Sequence, residues 1–193
     1  MNARKADYPI MDIILNRWSR RAMTAQSVPH EQLLCLFEAA RWAASSYNNQ
    51  PWRFIYAHRQ TAQWSVLFNL LVPANQEWCV NAGVLIVALS HTLFEYNNKP
   101  SRTHSLDTGA ATQNLALQGY SMGLVVHGLE GFDYDLARKE LGVPEEYAVE
   151  AMYAIGIPGD PKATLSPKLQ EREVPSDRKH IEEFIYNGVF GNK

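Results

Sequence analysis

A short basic segment near the start of the chain has the residue types of an anion-binding site. Residues 17–21 read Arg-Trp-Ser-Arg-Arg, which places three guanidinium groups and one hydroxyl within five residues. Guanidinium groups pair with phosphate oxygens through two parallel hydrogen bonds, and a serine hydroxyl or the N–H groups at a helix start can complete the set of ligands. The segment predicts a phosphate site, with a solvent-exposed basic turn as the alternative.

Two other segments have the composition of loops that contact a flat polar ring. Residues 45–52 read Ser-Ser-Tyr-Asn-Asn-Gln-Pro-Trp, and their short donor and acceptor side chains suit the polar edge of a heteroaromatic ring. Residues 128–133 read Gly-Leu-Glu-Gly-Phe-Asp, where two glycines three positions apart let the backbone approach a ligand closely. Ordinary connecting loops, one with Asx turns and one with a helix cap, are the alternatives.

The histidines and cysteines form no recognisable motif. The six histidines are scattered without an i,i+4 pair, and the two cysteines, Cys35 and Cys79, lie far apart, so no metal site is predicted. The apolar neighbours of both cysteines predict reduced, buried thiols. His127 lies in an apolar strand and is predicted to be a satisfied core residue. The chain also lacks the glycine-rich fingerprints of dinucleotide and P-loop sites.

Apolar spacing and turn residues predict the elements that position these segments. The predicted helices cover residues 10–16, 29–44, 61–71, 106–122, 133–141 and 180–186. The predicted strands cover residues 52–57, 83–90, 124–127 and 147–157, and residues 161–177 are predicted to be irregular. Because helices and strands do not alternate regularly, we expect an α+β fold around a central sheet. The pair Gly119 and Gly123 predicts close helix packing.

The composition is that of one soluble globular domain, residues 1–193. The net charge is -2, with 46% hydrophobic and 20% charged residues, which excludes a disordered tail or a fibre. This charge argues against a nucleic-acid binder, so an RNA-binding module built on residues 17–21 is the disfavoured rival. The first ten residues lack an apolar core, and the apolar stretch 84–89 is about a third of a membrane span. Neither a signal peptide nor a membrane partner is predicted, and a cytoplasmic location is expected.

Taken in order along the chain, these segments resemble the nitroreductase family of FMN-dependent oxidoreductases. The resemblance rests on six elements: an Arg-x-Ser-x-Arg/Lys element, a Pro-Ser-x-x-Asn-x-Gln-Pro-Trp element, an asparagine a few residues ahead of the apolar strand, a Glu-Gly loop, an Ile-Gly-x-Pro strand end, and an arginine before a C-terminal helix. In this sequence they are matched by Arg17, Ser19 and Arg21, by residues 44–52 with Ala44 in place of the proline, by Asn75, by Glu130–Gly131, by residues 155–158, and by Arg178.

The resemblance implies a fold, a cofactor and a reaction. The fold would be a central, mostly antiparallel sheet flanked by helices in an intertwined homodimer, with a C-terminal extension (residues 174–193) that contacts the partner subunit. The cofactor would be FMN, with NADPH or NADH as electron donor. Hydride would pass through the flavin N5 atom to a small-molecule acceptor such as a nitroaromatic, quinone or enone. Because the cofactor performs this chemistry, no catalytic side chain is expected.

The resemblance also implies which residues bind FMN. Arg17, Ser19, Arg21 and Arg178 would neutralise the phosphate, residues of the 45–52 segment would line the ring and ribityl chain, Asn75 would bond the pyrimidine edge, and the Glu130–Gly131 backbone would approach N5. The full set of expected cofactor-binding residues is Arg17, Trp18, Ser19, Arg21, Ser45, Ser46, Asn48, Gln50, Asn75, Leu129, Glu130, Gly131 and Arg178.

Three departures from the family pattern leave other functions open. Trp78 stands where some members have a lysine near the pyrimidine edge, and Ser176 stands where some have a second C-terminal cation. The connection between Ser90 and Leu106 is shorter than the helical insertion that many members carry over the substrate. The alternatives are therefore a branch with unusual chemistry, such as flavin fragmentation or reductive dehalogenation, and a flavin carrier or sensor without turnover.

Overall fold

A four-stranded antiparallel sheet forms the centre of the molecule, in a computed structural model that describes residues 4–192. The strand order is β1-β2-β4-β3, and all three neighbouring pairs are antiparallel. The strand bounds are β1 Trp52–His58, β2 Val84–His91, β3 Val125–Leu129 and β4 Tyr147–Gly156. The expected α+β architecture with a mostly antiparallel sheet is confirmed, and β1 and β3 are its two edges.

Helices cover both faces of the sheet. The helix bounds are α1 Asp12–Asn16, α2 His30–Arg41, α3 Ala62–Asn69, α4 Pro73–Cys79, α5 His104–Ser121, α6 Tyr134–Glu140, α7 Pro161–Thr164 and α8 Pro167–Gln170. Helices α2 and α5 pack on one face, around a core that includes Leu36, Ile86 and Leu115. Helices α3, α4 and α6 pack on the other, around Leu67, Trp78 and Met152. Strand β2 is buried on both faces because it contributes to both cores, which explains its nearly unbroken apolar run.

Strand β4 carries one extra residue opposite β2. The pairing runs from Ala88 with Ala151 to Leu89 with Val149, so Glu150 has no partner in the ladder. A bulge of this kind turns two neighbouring side chains toward the same face of the sheet. Glu150 accordingly reaches the first turn of α5, where it accepts a hydrogen bond from Ser105 Oγ at 2.7 Å.

Several predicted elements differ from those in the structure. Pro73 begins α4 instead of only ending the preceding helix, because its missing N–H and fixed φ suit the first helical position. Residues 161–177, predicted to be irregular, contain α7 and α8, each of which also starts at a proline. The predicted 180–186 helix is reduced to a 3-10 turn at Ile181–Glu183. Residues 42–44 lie beyond the end of α2.

Two predictions about small residues are corrected by the packing. Cys79 is buried as predicted, but Cys35 is exposed on α2, on the side away from the core. Gly119 is packed closely, against Val126 and Leu36, whereas a Cβ at Gly123 would meet nothing within 4 Å among residues 4–192, and Gly123 has a φ of +73°. Gly123 therefore ends α5 in the left-handed conformation typical of a residue after a helix, with no close helix neighbour in the described part of this chain. Within residues 4–192, no helix is both long and apolar enough to cross a membrane.

Replacing Gly119 by alanine will destabilise the fold by about 2 kcal/mol, in the range usual for overpacked cores. The added methyl group would overlap the Cγ2 atom of Val126, which is fixed in strand β3. Gly109→Ala on the same helix is the matched control, because a methyl group there meets nothing within 4 Å. The unfolding free energy of Gly109→Ala will rise by roughly 0.5–1 kcal/mol, because alanine has a higher helix propensity than glycine. Urea unfolding of both variants measures the difference, and equal stabilities would contradict this packing.

Candidate functional site

Arg17 is a half-buried guanidinium that no carboxylate neutralises within residues 4–192. Its Nε atom is buried and has no hydrogen-bond partner among the described residues. Burial and the nearby positive charge of Arg178 both lower the pKa of Arg17. Because burying an unpaired charge costs free energy, such an arrangement calls for an anion that is not part of the chain.

Arg4 brings a third guanidinium to the same place. Its Nη1 atom donates to the carbonyl oxygens of Leu15 and Arg17, at 3.0 and 2.8 Å. Burial, Arg178 and Arg17 lower the pKa of Arg4, while the carboxylate of Asp177 acts in the opposite direction. Arg4 has no signal in the sequence, since it lies outside the 17–21 segment and only the fold brings it there.

The three arginines line one cavity of about 800 Å³. We call it the basic cavity, and its walls come from the N-terminal segment, α1, α5 and the C-terminal segment 177–184. Asp7 joins the two terminal segments by accepting from the backbone N–H of Ile181 at 2.9 Å and by pairing with the His180 ring at 3.0 Å. The structure thus brings Arg17 and Arg178 together, as the sequence analysis expected.

The backbone of the basic segment is held by Glu173, a residue that the sequence analysis missed. The Glu173 carboxylate accepts from the backbone N–H groups of Arg21 and Ala22, each at 2.9 Å, and its side chain is only 2% exposed. Arg20 Nε lies 3.9 Å from the same carboxylate, and its guanidinium lies 5.8 Å from the Trp18 ring. The partners of Arg20 are therefore residues of the protein itself. Ser19 and Arg21 are half-buried and lie close to Arg17 in the sequence.

His127 fixes the same segment from strand β3. Its Nδ1–H donates to the carbonyl oxygen of Arg20 at 2.8 Å, and its ring lies 4.4 Å from that of Trp78. Burial lowers the pKa of His127 to about 4, although the bond to Arg20 acts in the opposite direction and the charge of Arg21 adds a further lowering. The prediction that His127 is a satisfied core residue agrees with this geometry.

The lowered pKa of His127 makes stability depend on pH. The unfolded histidine takes up a proton below about pH 6.5, while the folded one resists until about pH 4, so stability is lost as the pH falls through this window. Between pH 7 and pH 5 the loss amounts to about 2 kcal/mol. His127→Gln keeps a donor for the Arg20 carbonyl without a titratable ring, and its unfolding free energy will lack this loss. If the unfolding free energies of the wild type and of His127→Gln fell equally between pH 7 and pH 5, the assignment to His127 would be wrong.

The loop after β3 meets helix α4 at Asn75. The Nδ2 group of Asn75 donates to the carbonyl oxygen of Gly131 at 3.0 Å, and its Oδ1 atom accepts from Trp78 Nε1 at 3.2 Å. A Cβ at Gly131 would lie 2.5 Å from Asn75 Nδ2, so glycine is needed for this approach. Trp78 is buried and thus supports Asn75 from within the core. Glu130 is exposed, whereas Leu129 is buried and offers only its backbone.

The 45–50 loop is held in an unusual conformation at the start of β1. Tyr47, Asn48 and Gln50 all have φ between +48° and +54°, a region that residues other than glycine seldom adopt. Ser45 Oγ accepts from the Gln50 N–H at 3.0 Å, and the Asp107 carboxylate accepts from the Ser46 N–H at 3.1 Å. Strain that is held in place by neighbouring bonds is common at functional sites.

The predicted cofactor-binding residues fall into two groups at opposite edges of the sheet. Residues 45–50 lead into β1, while residues 129–131 end β3, and β2 and β4 lie between these edges. Three strand spacings separate the two edges, or roughly 14 Å. Arg17 lies near the β3 edge because Arg20, three residues further along, is bonded to His127 of β3. Asn75 lies there because it is bonded to Gly131. One chain therefore brings together the β3-edge group and leaves the 45–50 loop apart from it.

Comparison with known proteins decides the family. A model of the Nitroreductase family matches residues 14–157. The chain belongs to the nitroreductase family.

Solved structures of other proteins have the same fold. A crystal structure described as an oxidoreductase containing FMN is 40% identical, with a TM-score of 0.94 and coverage of 100% of this chain and 98% of that one. A protein from Desulfovibrio desulfuricans, provisionally named a nitroreductase and solved with FMN, has a TM-score of 0.73 at 23% identity, covering 96% of this chain and 99% of its own.

Two relatives are known by sequence. An Archaeoglobus fulgidus protein, provisionally named NADH dehydrogenase/NAD(P)H nitroreductase, is 25% identical over 160 residues, 79% of this chain and 87% of that protein. An uncharacterised 15.4 kDa protein of Mycolicibacterium smegmatis is 32% identical over 97 residues, which cover 50% of this chain and 65% of the relative.

Within residues 4–192, no cluster of three metal-ligating side chains is present in this nitroreductase-family chain.

Proposed function

We propose that this protein binds FMN and uses it as an NAD(P)H-dependent oxidoreductase. The observation that carries the proposal is the half-buried Arg17, whose Nε has no partner in the described part of the chain and whose neighbour Arg178 is also a cation. A phosphate group with nearly two negative charges would satisfy both guanidinium groups at once. The relative at 40% identity supports the choice of anion, because it is described as containing FMN.

The residues of the β3 edge would hold the rest of the cofactor. We assign the phosphate to Arg17, Ser19, Arg21 and Arg178, with Arg4 as an added cation beside them. The exposed backbone at Glu130 and the Gly131 carbonyl, which Asn75 anchors, would border the ring. Since both ends of the Asn75 amide already have protein partners, its part is to fix this loop, and any bond to the pyrimidine edge would use its second N–H.

When bound, FMN supplies an atom, N5, that can accept a hydride and pass it on, so the protein needs no nucleophile of its own. We propose NADPH or NADH as donor and an oxidised small molecule such as a nitroaromatic, quinone or enone as acceptor. The Archaeoglobus fulgidus relative, whose name refers to NADH and NAD(P)H, supports the class of donor.

A homodimer would bring the 45–50 loop to the cofactor. That loop lies across the sheet from the basic cavity of its own chain, so we propose that it contacts FMN bound at the β3 edge of the partner subunit. Exposed apolar side chains in the C-terminal segment support an interface there. They include Val174, Phe184, Val189 and Phe190, the last of which is 90% exposed. We assign residues 174–193 as an extension that packs on the partner.

The absorbance spectrum of the purified protein with added FMN tests the proposal. We expect a bound-flavin spectrum that bleaches within seconds on anaerobic addition of NADPH or NADH. A bound flavin that neither nucleotide reduces would instead indicate a carrier or sensor, and no binding would disprove the assignment. Sedimentation velocity tests the dimer, and a monomer that binds FMN would contradict the role given to the 45–50 loop.

A further inference from the structure

Four polar side chains form a connected cluster where β2, β4 and α5 meet. They are Ser90, His104, Ser105 and Glu150. The Ser90 hydroxyl lies 2.7 Å from His104 Nδ1 and donates to Glu150 Oε1, and Ser105 Oγ donates to the same oxygen at 2.7 Å. None of these residues is among the expected cofactor-binding residues. The cluster includes the bulge residue Glu150, and bulges are enriched beside active sites.

Proton counting fixes the direction of the chain of hydrogen bonds. A serine hydroxyl has one proton, and Ser90 gives it to the Glu150 carboxylate, so its oxygen must accept from His104 Nδ1–H. The hydrogen bonds thus run from the His104 imidazole to the Ser90 hydroxyl and from that hydroxyl to the Glu150 carboxylate. Ser90 is completely buried, which excludes it as a nucleophile. His104 is partly exposed, and the other ring nitrogen, Nε2, is the one left without a partner among these residues.

Glu150 lies beside the loop that the proposed function assigns to the flavin. In the β3–β4 register Leu129, the last residue of β3, pairs with Met152, which lies two residues from Glu150 along β4. The charges of Glu130 and Glu150 together raise the pKa of Tyr134, after the larger effect of burial, so both carboxylates lie close to that ring. Glu150 therefore brings one end of the cluster close to the end of β3, and His104 lies at the other end, on the first turn of α5.

We propose that His104 is the proton donor for the reduced acceptor and that Glu150 and Ser90 are positioning residues that fix its tautomer and ring orientation. This inference rests on the proposed function. A quinone that becomes a hydroquinonate gains two electrons as a hydride from the reduced cofactor. It then gains one proton from Nε2 of the His104 imidazolium, which is left as the neutral Nδ1–H tautomer. Water restores the proton at Nε2.

The two half-reactions separate this role from a structural one. Oxidation of NAD(P)H delivers a hydride and needs no proton from the protein, and ferricyanide accepts single electrons without taking up a proton. We expect His104→Gln to slow reoxidation by 1,4-benzoquinone at least about 100-fold, as for loss of a general acid. Reduction by NAD(P)H and reoxidation by ferricyanide will keep the wild-type rates. Glu150→Gln will show the same pattern with a smaller loss, and Ser90→Ala provides a second positioning variant should Glu150→Gln fold poorly.

NMR spectra of the purified protein, labelled with ¹⁵N-histidine, provide a readout that does not depend on turnover. We expect a hydrogen-bonded Nδ1–H signal from His104 that is lost or shifted in Ser90→Ala. His30→Gln, an exposed histidine at the start of α2, is the matched control and will change neither measurement. Equal slowing with benzoquinone and ferricyanide, or an unprotonated Nδ1, would overturn the proposal. If wild-type protein is not reduced by NAD(P)H at all, the proposed function fails and this inference fails with it.

Discussion

Replacing Arg17 and Arg178 together by alanine will weaken FMN binding at least 100-fold. Each charge-assisted hydrogen bond to a desolvated phosphate contributes roughly 1.5–3 kcal/mol, so the loss of two such partners amounts to about 3–6 kcal/mol. Burial and then the nearby charge of Arg178 lower the pKa of Arg17, and an anion bound between the two guanidinium groups offsets that cost. Fluorescence titration with FMN measures the change.

Riboflavin separates the phosphate contribution from any damage to the ring site. It has the same ring and no phosphate, so its affinity will be nearly the same for the wild type and the double variant. Arg41→Ala is a matched control, because this arginine pairs with Glu38 on the exposed side of α2. The assignment would be wrong if the double variant lost affinity for riboflavin and FMN to the same extent.

The unliganded protein provides a second check with the opposite sign. Because Arg17 is half-buried without a counterion, its removal relieves an unfavourable charge in the absence of FMN. We therefore expect Arg17→Met, which keeps the apolar part of the side chain, to leave the thermal midpoint of the FMN-free protein unchanged or higher. The same substitution will lower the thermal midpoint measured with saturating FMN. A ligand that binds only the folded state stabilises that state by an amount that increases with its affinity, and the substitution lowers this affinity.

Features that depend on local chemistry could be predicted from the sequence. The apolar run of β2 predicts a strand covered on both faces, and Asp133 accepts from the N–H of Leu136 as the cap of α6. The basic segment predicts an anion site from residue types alone, and that site stays a prediction. In each case the physical cause lies within a few neighbouring residues, such as a repeating apolar pattern or a side chain that bonds its own helix start.

Features that depend on distant contacts could not be predicted in this way. Arg4 reaches the basic cavity only because α1 turns the chain back, and Glu150 reaches α5 only because β4 has a bulge opposite β2. Tyr47 adopts a left-handed conformation that its residue type disfavours, since bonds from Ser45 and Asp107 hold the loop. None of these contacts has a local signal in the sequence, because the free energy that holds each residue comes from partners elsewhere in the chain.

Glu173 is the clearest case of such a distant contact, and Glu173→Ala will destabilise the protein by about 3–5 kcal/mol, the usual cost of breaking a buried charged network. The substitution leaves the N–H groups of Arg21 and Ala22 without an acceptor and removes the partner of Arg20. Chemical unfolding measures the loss, and Glu171→Ala, two residues away and exposed, is the control.

The same variant links the stability of the fold to the site. If Glu173 sets the path of residues 17–22, as its bonds to consecutive backbone N–H groups indicate, the folded fraction of Glu173→Ala will bind FMN more weakly although no proposed phosphate ligand has changed. Glu173→Gln keeps one acceptor oxygen and loses the charge, so its FMN affinity will fall between those of Glu173→Ala and the wild type. Wild-type affinity in the alanine variant, measured below its unfolding midpoint, would show that the basic segment holds its shape without this carboxylate, and the anion itself would then have to organise the arginines.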